Sequence, residues 1–185
     1  MRERVTALLA FLGVLWIVWA LHQIFPAGIG LYGVIPRNSE GLRGIITAPF
    51  LHLSLDHLIA NSIPLLILGA LILLRGVKEL VYVILVTGLI SGIGIWLFGA
   101  PGTMHFGASG LVFGFISFLL FRAIFDRTLS SVLITVIVAL LYGSTLLASF
   151  LPAAGVSWSG HLWGFIGGII AARWRHPRRA YHRYA

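Results

Sequence analysis

Long apolar runs separated by short polar or glycine- and proline-containing segments fill the chain as far as about residue 172. Each run approaches the ~20 residues that a helix needs to cross a bilayer core, and the shorter ones must be tilted or begin inside protein. The pattern predicts an all-α polytopic membrane protein whose spans share one intramembrane core. The six predicted spans are about residues 5–25, 57–74, 80–98, 109–125, 129–150 and 158–172.

The first run follows two arginines, as the apolar part of a signal peptide would. It is too long for that, however, and no clear small-x-small cleavage site follows it, so we expect a retained helix.

Two of the connecting segments differ from plain turns. The first, residues 26–56, is long enough to be functional or partly structured. It contains three prolines and several apolar side chains, and we expect it to associate with the membrane interface. The second, residues 99–108, carries no Asp, Glu, Lys or Arg, which is typical of a loop that descends beside a wet or protein-lined cavity.

Composition supports the membrane assignment. The chain is 59% hydrophobic and 10% charged, with a mean hydropathy of +1.00. This composition is far more apolar than that of a soluble domain, whose surface faces water. Cysteine is absent, which excludes thiol nucleophiles, disulfides and cysteine zinc sites.

The distribution of basic residues predicts the orientation. With six spans, eleven Lys and Arg residues fall on one side and only Arg37 and Arg43 on the other. The positive-inside rule then places both termini in the cytoplasm. We expect the basic cytoplasmic tail, residues 173–185, to contact anionic lipid headgroups; nucleic acid is not expected as a partner. The eleven are Arg2, Arg4, Arg75, Lys78, Arg122, Arg127, Arg173, Arg175, Arg178, Arg179 and Arg183.

Three polar side chains on different spans reach one depth. Ser109, His161 and Asn61 lie 13, 12 and 14 residues from the basic residues that end their runs. At 1.5 Å per residue these separations are about 20, 18 and 21 Å, so the level lies roughly 10 Å below the outer face of a ~30 Å core. His57 shares the helix face of Asn61 one turn nearer the outside. Polar groups at this depth are costly unless they have partners, which favours a functional site.

Ser109 and His161 suit nucleophilic catalysis. A serine hydroxyl is a poor nucleophile until a nearby base takes its proton, and His161 is the only candidate base at this depth on a later span. The start of the fourth span also offers free N–H groups to an oxyanion.

Small residues at four-residue spacing favour close contact between these two spans. Gly164, Gly168 and Ala172 form one small-xxx-small face, and Gly110 with Gly114 forms another. Such contact is what a hydrogen bond between Ser109 and His161 requires.

Absent motifs narrow the chemistry. All five acidic residues fall outside the predicted spans, so no carboxylate is expected to orient His161, and a dyad is implied. Paired intramembrane aspartates and an H-E-x-x-H zinc motif are both missing. The sequence around Ser109 also lacks the last glycine of the G-x-S-x-G elbow.

The order and spacing of these motifs resemble the rhomboid family of intramembrane serine proteases over residues 5–172. The matching features are His52 before His57-x-x-x-Asn61, Gly107-x-Ser109-Gly110, and His161 with Gly164 and Gly168.

The resemblance implies a fold and a set of roles. It implies a six-helix bundle that cleaves transmembrane segments of other proteins near the outer face, without a cofactor or metal, in a prokaryotic cell (inner) membrane. Ser109 would be the nucleophile and His161 the general base. The implied oxyanion hole is His57, Asn61 and the Ser109 N–H. The implied supporting residues are His52, Gly107, Gly110, Phe113, Gly164 and Gly168.

The chain departs from the family pattern at two places. The family's Trp-Arg pair in the first loop is matched only by Leu42-Arg43, with Arg43 nine residues before His52. A tyrosine four residues after the serine is replaced by Phe113, whose ring can pack on His161 but brings no hydroxyl.

Other interpretations exist for the same residues. Taken singly, a serine at a helix start is more often a cap, and a lone buried histidine is more often a satisfied core residue. A catalytically inactive relative that binds or escorts transmembrane clients would keep the same fold. A small transporter or channel would also use a wet polar layer, but the spans lack charge and matched broken helices. His22 and His105 are interpreted as loop or interface residues.

Overall fold

Seven helices make up most of the computed structural model, which describes residues 1–25, 32–149 and 157–175. Two 3-10 turns, Ser39–Leu42 and Ala48–Phe50, flank the shortest helix, and an isolated bridge pairs Val34 with His105. The predicted all-α class is confirmed for the described residues. The helices are α1 Arg2–Ile24, α2 Gly44–Thr47, α3 Leu55–Leu73, α4 Val77–Phe98, α5 Ser109–Asp126, α6 Leu129–Ala148 and α7 Trp158–Arg175.

Five of these helices are long and apolar enough to cross a membrane, namely α1, α3, α4, α5 and α6. The sixth predicted span, 158–172, corresponds to α7, which contains four glycines, His161 and two arginines and is less apolar than the others. Its contacts explain this composition, because α7 packs mainly against α5 and α4, and a helix covered by protein need not be uniformly apolar.

Hydroxyl side chains cap the N-termini of two helices. Ser54 Oγ accepts a hydrogen bond from the His57 N–H at the start of α3, and Thr128 Oγ1 accepts one from Ser131 N–H in α6. Gly76, at φ +110°, makes the tight turn between α3 and α4.

Charged residues extend the helices beyond the predicted spans. Four of the five acidic residues, all predicted outside the spans, lie in helix ends that extend past those spans. Likewise α7 continues three residues past 172, because Arg175 pairs with Glu79 and the Arg173 guanidinium lies 5.7 Å from the centre of the Phe125 ring. Residues 176–185 of the predicted tail lie outside the described residues. The four acidic residues are Glu3, Asp56, Glu79 and Asp126.

The loop predicted at the membrane interface is partly helical. Its helix α2 packs against α4, where Ile45 lies against Gly92. Leu51 is buried, whereas Ile46 is exposed. Residues 26–31 of this loop, and residues 150–156 before α7, lie outside the described part of the chain.

Helix α5 is the centre of the bundle. It contacts α3, α4, α6 and α7, and every residue from Gly110 to Leu119 is buried. Phe115 and Phe118 are fully buried and belong to the same hydrophobic core as the buried leucines of α1 and α3. If α5 shifted along its neighbours, these side chains would leave cavities in the close-packed core. The packing therefore fixes where α5 begins, and with it the position of Ser109.

Two glycines of α7 allow its backbone to touch that of α5. A Cβ at Gly164 would overlap the Gly110 carbonyl, and one at Gly168 would overlap the Gly114 carbonyl. The predicted small-residue faces therefore pack directly on each other, and no larger side chain fits between them.

We expect Gly164→Ala to lower the midpoint of thermal unfolding in detergent, because the new methyl group forces the two backbones apart at a cost of about 1–3 kcal/mol. The control is Gly143→Ala in α6, where an added Cβ meets nothing within 4 Å. Alanine favours a helix over glycine, so the control should hold or raise the midpoint. An equal rise in both variants would contradict the close approach.

An ionic cluster joins the helices at the opposite end from Ser109, called here the basic end. Arg122 of α5 contacts Glu79 of α4 and Asp126, while Arg75 pairs with Asp126 and Arg175 with Glu79. Arg122 and Glu79 are each only 6% exposed. Since buried charges are tolerated only when paired, the cluster fixes the relative positions of α4, α5 and α7.

Arg122→Met should destabilise the protein by on the order of 3 kcal/mol, because it leaves two buried carboxylates with only their outer partners. Chemical or thermal unfolding in detergent measures the loss. Lys78→Met removes an exposed basic residue from the same end and should leave the unfolding midpoint nearly unchanged. Similar small effects of the two substitutions would show that the cluster adds little to stability.

Candidate active site

A sharp turn leads the chain into Ser109. Gly107 has φ +106°, which favours glycine, and its N–H donates to the Ala48 carbonyl at 2.9 Å. Ser109 is the first residue of α5, as the sequence predicts, and it is half-buried. The first N–H groups of a helix have no partner within it, so Ser109 lies where an anion would be stabilised.

Ser109 lines a small, open cavity of about 30 Å³. The cavity lies between the loop that contains α2, the segment before Ser109, α4 and the start of α7. Its polar lining includes His105, Ser157 and Ser91, the last of which donates a hydrogen bond from Oγ to the Gly160 carbonyl at 3.2 Å. The nucleophile candidate is thus accessible from a partly polar pocket.

His161 lies in the first turn of α7 and is 7% exposed. Its ring stacks on Phe113, with centroids 4.2 Å apart and an interplanar angle of 22°. Phe113 is one turn after Ser109 on the same face of α5. The ring has one other described contact, between His161 Nδ1 and the Ser149 carbonyl at 3.5 Å. A hydrogen bond between Ser109 and His161 is not among these contacts and stays a prediction.

His52, His57 and Asn61 surround the turn before Ser109. The His57 ring lies against Gly107, where a Cβ would collide with it, and edge-on to His52 at 5.1 Å between centroids. Asn61 is buried, and its amide nitrogen is 3.2 Å from His52 Nε2 and 3.1 Å from the His57 carbonyl. The structure therefore gathers three residues that the sequence placed together by motif alone.

His52 has the clearest protonation state. Its Nε2 faces two N–H donors, the Asn61 amide and the Ala108 backbone N–H at 3.4 Å, so this nitrogen is an acceptor and the proton is on Nδ1. Burial, together with a smaller effect of the neighbouring His57, lowers the pKa of His52 to about 4, and the Phe50 carbonyl offsets only part of this. A neutral His52 thus holds the backbone one residue before Ser109.

Two site features were missed from the sequence. His105, interpreted as a loop or interface residue, has both ring nitrogens in hydrogen bonds, to Thr103 and Ser157. Ser157 lies just before the last predicted span and was not among the predicted site residues, although a serine immediately before a helix is a common cap signal. Its Oγ accepts from the Gly160 N–H at 3.3 Å.

Leu42 and Arg43, which stand where the family has a Trp-Arg pair, do not both anchor the first loop. Leu42 is exposed, and the Arg43 guanidinium lies 5.2 Å from the centre of the Tyr32 ring.

Within residues 1–25, 32–149 and 157–175, no three His, Asp or Glu side chains lie together as metal ligands would.

A rhomboid-domain family model matches residues 39–178, which include every candidate residue of the site. The chain belongs to the rhomboid family. It is 39% identical to an uncharacterized protein of Mycobacterium tuberculosis over 176 residues, covering 90% of this chain and 73% of the relative. An uncharacterized protein of Mycobacterium leprae is 37% identical over 174 residues, covering 89% and 68%.

A more distant relative has a more informative name. The Bacillus subtilis protein named "Putative rhomboid protease YdcA" is 29% identical over 171 residues, covering 90% of this chain and 85% of the relative. The family and the long apolar helices together make this rhomboid a multi-pass membrane protein.

The pKa of His52 predicts a pH effect on stability. The unfolded chain, with a histidine pKa of 6.5, binds more protons than the folded one between pH 6.5 and about 4. Stability is therefore fully present above pH 6.5 and is lost as the pH falls toward 4. We expect the midpoint of thermal unfolding in detergent to fall over this range, and to fall less in His52→Gln, which keeps an acceptor near the Nε2 position but does not titrate. Parallel curves for the two proteins would exclude His52 as the cause.

Proposed function

We propose that this rhomboid is an intramembrane serine endopeptidase that hydrolyses peptide bonds in or near transmembrane segments of other membrane proteins. The observation that carries the proposal is the position of Ser109 at the free N-terminus of α5, on the wall of an open cavity and one residue after a turn held by His52 and His57. A capping or packing serine needs neither the cavity nor the surrounding imidazoles.

The proposed chemistry is acyl transfer through a Ser-His dyad. His161 removes the proton of Ser109 Oγ as that oxygen bonds to the scissile carbonyl carbon. The imidazolium then gives the proton to the departing amine as the C–N bond breaks, which leaves an acyl-enzyme. Water, deprotonated by His161, attacks the ester and releases the new carboxylate and Ser109.

The negative oxygen formed in this step needs donors. The Ser109 N–H and the His57 imidazole are proposed to supply them, since both adjoin the Gly107 turn. Asn61 is the third proposed donor. Both N–H groups of its amide face protein acceptors, so it must release one of them to reach a substrate.

His161 has a restricted orientation that suits a base. If Nδ1 keeps its proton toward the Ser149 carbonyl, Nε2 has the free lone pair. Stacking on Phe113 limits rotation of the ring. Phe113 thus supports the base by contact alone, in place of the hydroxyl-bearing tyrosine of many relatives.

The orientation of the protein follows from charge. We propose that the basic end and both termini face the cytoplasm and that the cavity opens toward the outer face, in the cell (inner) membrane of a bacterium. The basic tail would then contact anionic headgroups. The proposed partners are transmembrane substrates and the bilayer, with neither a cofactor nor nucleic acid.

An inactive rhomboid-like protein that binds or escorts transmembrane clients is the second candidate. Two observations favour it: the described contacts of His161 do not include Ser109, and the Asn61 amide is occupied. Catalytic hydrogen bonds are often long without substrate, so these contacts alone do not exclude the enzyme.

Covalent labelling and cleavage distinguish the two. A fluorophosphonate or isocoumarin should label the wild type but not Ser109→Ala, and cleavage of a reporter transmembrane substrate should fall at least about 1000-fold in Ser109→Ala and His161→Ala. Ser130→Ala, at an exposed position near the start of α6, should keep both activities. Client binding by a wild type that neither labels nor cleaves would support the escort instead, and undiminished cleavage by Ser109→Ala would refute the mechanism.

A further inference from the structure

His105 connects the two segments that carry the proposed dyad. Its backbone is paired with Val34 in both directions, at 2.9 and 3.0 Å, so the residue has a fixed position four residues before Ser109. From there the side chain reaches Ser157, which precedes α7 and lies four residues before His161. The imidazole is therefore a direct link between the start of α5 and the start of α7.

The hydrogen bonds around His105 fit a single arrangement of protons. Thr103 Oγ1 donates to the Ala100 carbonyl at 2.6 Å, so it must accept from His105 Nε2–H, at 2.7 Å. His105 Nδ1 is then unprotonated and accepts from the Ser157 hydroxyl at 2.6 Å.

The chain of bonds continues into α7. Ser157 Oγ accepts from the Gly160 N–H, and the Ser157 carbonyl accepts from the His161 N–H at 3.2 Å. Burial lowers the pKa of His105, which favours the neutral ring that this arrangement requires.

We propose that His105 is a positioning residue, whose neutral imidazole holds the segment before Ser109 in register with the first turn of α7 through Ser157. This inference rests on the proposed function. Its physical reason is that His161 contacts Phe113 and the Ser149 carbonyl but has no described carboxylate partner, so the ring takes its position from its helix. A shift of about 1 Å between reacting groups can cost about 100-fold in rate.

Two amide substitutions separate positioning from simple folding. Asparagine places an oxygen near the Nδ1 position of histidine and can still accept from Ser157, whereas glutamine places its amide near the Nε2 position and reaches only toward Thr103. We expect His105→Gln to lower kcat about 10- to 100-fold with KM nearly unchanged, and His105→Asn to stay within a few-fold of the wild type. His22→Gln, at the end of α1, is the matched control and should leave kcat unchanged.

A double substitution tests the link itself. Because the two residues act through one hydrogen bond, His105→Gln with Ser157→Ala should be no slower than the slower single variant. Additive losses, or equal activity of the Asn and Gln variants, would overturn the positioning role.

Comparison with Ser109→Ala identifies which proposal fails. If Ser109→Ala abolishes cleavage but His105→Gln does not slow it, only the positioning role is overturned. If Ser109→Ala still cleaves, both proposals are overturned, because there is then no dyad to position.

Discussion

Direct backbone contact between α5 and α7 is the constraint on which the site depends. Gly164 and Gly168 meet the carbonyls of Gly110 and Gly114, so the distance between the helices has almost no freedom. This contact starts one residue after Ser109 and three residues after His161, and it sets both side chains at the same end of the helix pair. Stability and the geometry of the proposed site thus depend on the same packing, and a substitution that weakens this packing also shifts Ser109 relative to His161.

The two ends of the bundle are held by different kinds of interaction. The basic end is fixed by buried ion pairs of Arg122 with Glu79 and Asp126, which connect helix ends directly. The cavity end is fixed by neutral groups, including the Ala108 N–H on His52. The ion pairs lie far from Ser109 and so do not disturb its proposed chemistry, whereas a charged group beside the cavity would change the proton affinity of the imidazoles there.

The sequence predicted the long helices well because each apolar run must be buried or face lipid. It predicted helix ends less well: α4 begins at Val77, before the predicted span, and includes Glu79, because hydropathy cannot anticipate that Arg122 and Arg175 would neutralise this carboxylate. Helix α2 was not predictable, because its four residues depend on contact with α4. The motif spacing grouped His52, His57 and Asn61, which lie together in the structure. The hydrogen bond between His105 and Ser157 joins residues 52 positions apart, and no short sequence pattern indicates it.

The proposed dyad has no carboxylate partner among the described residues, so the orientation of His161 must come from neutral contacts. Phe113 stacks on one face of the His161 ring and limits its rotation, and the Ser149 carbonyl faces the Nδ1 atom of this ring. The backbone of α7 sets the depth of the ring in the bundle. None of these contacts raises the negative charge of the site, unlike the aspartate of a triad. Among the described residues, His161 is therefore oriented by an aromatic ring, a backbone carbonyl and its own helix, where a triad would use a carboxylate.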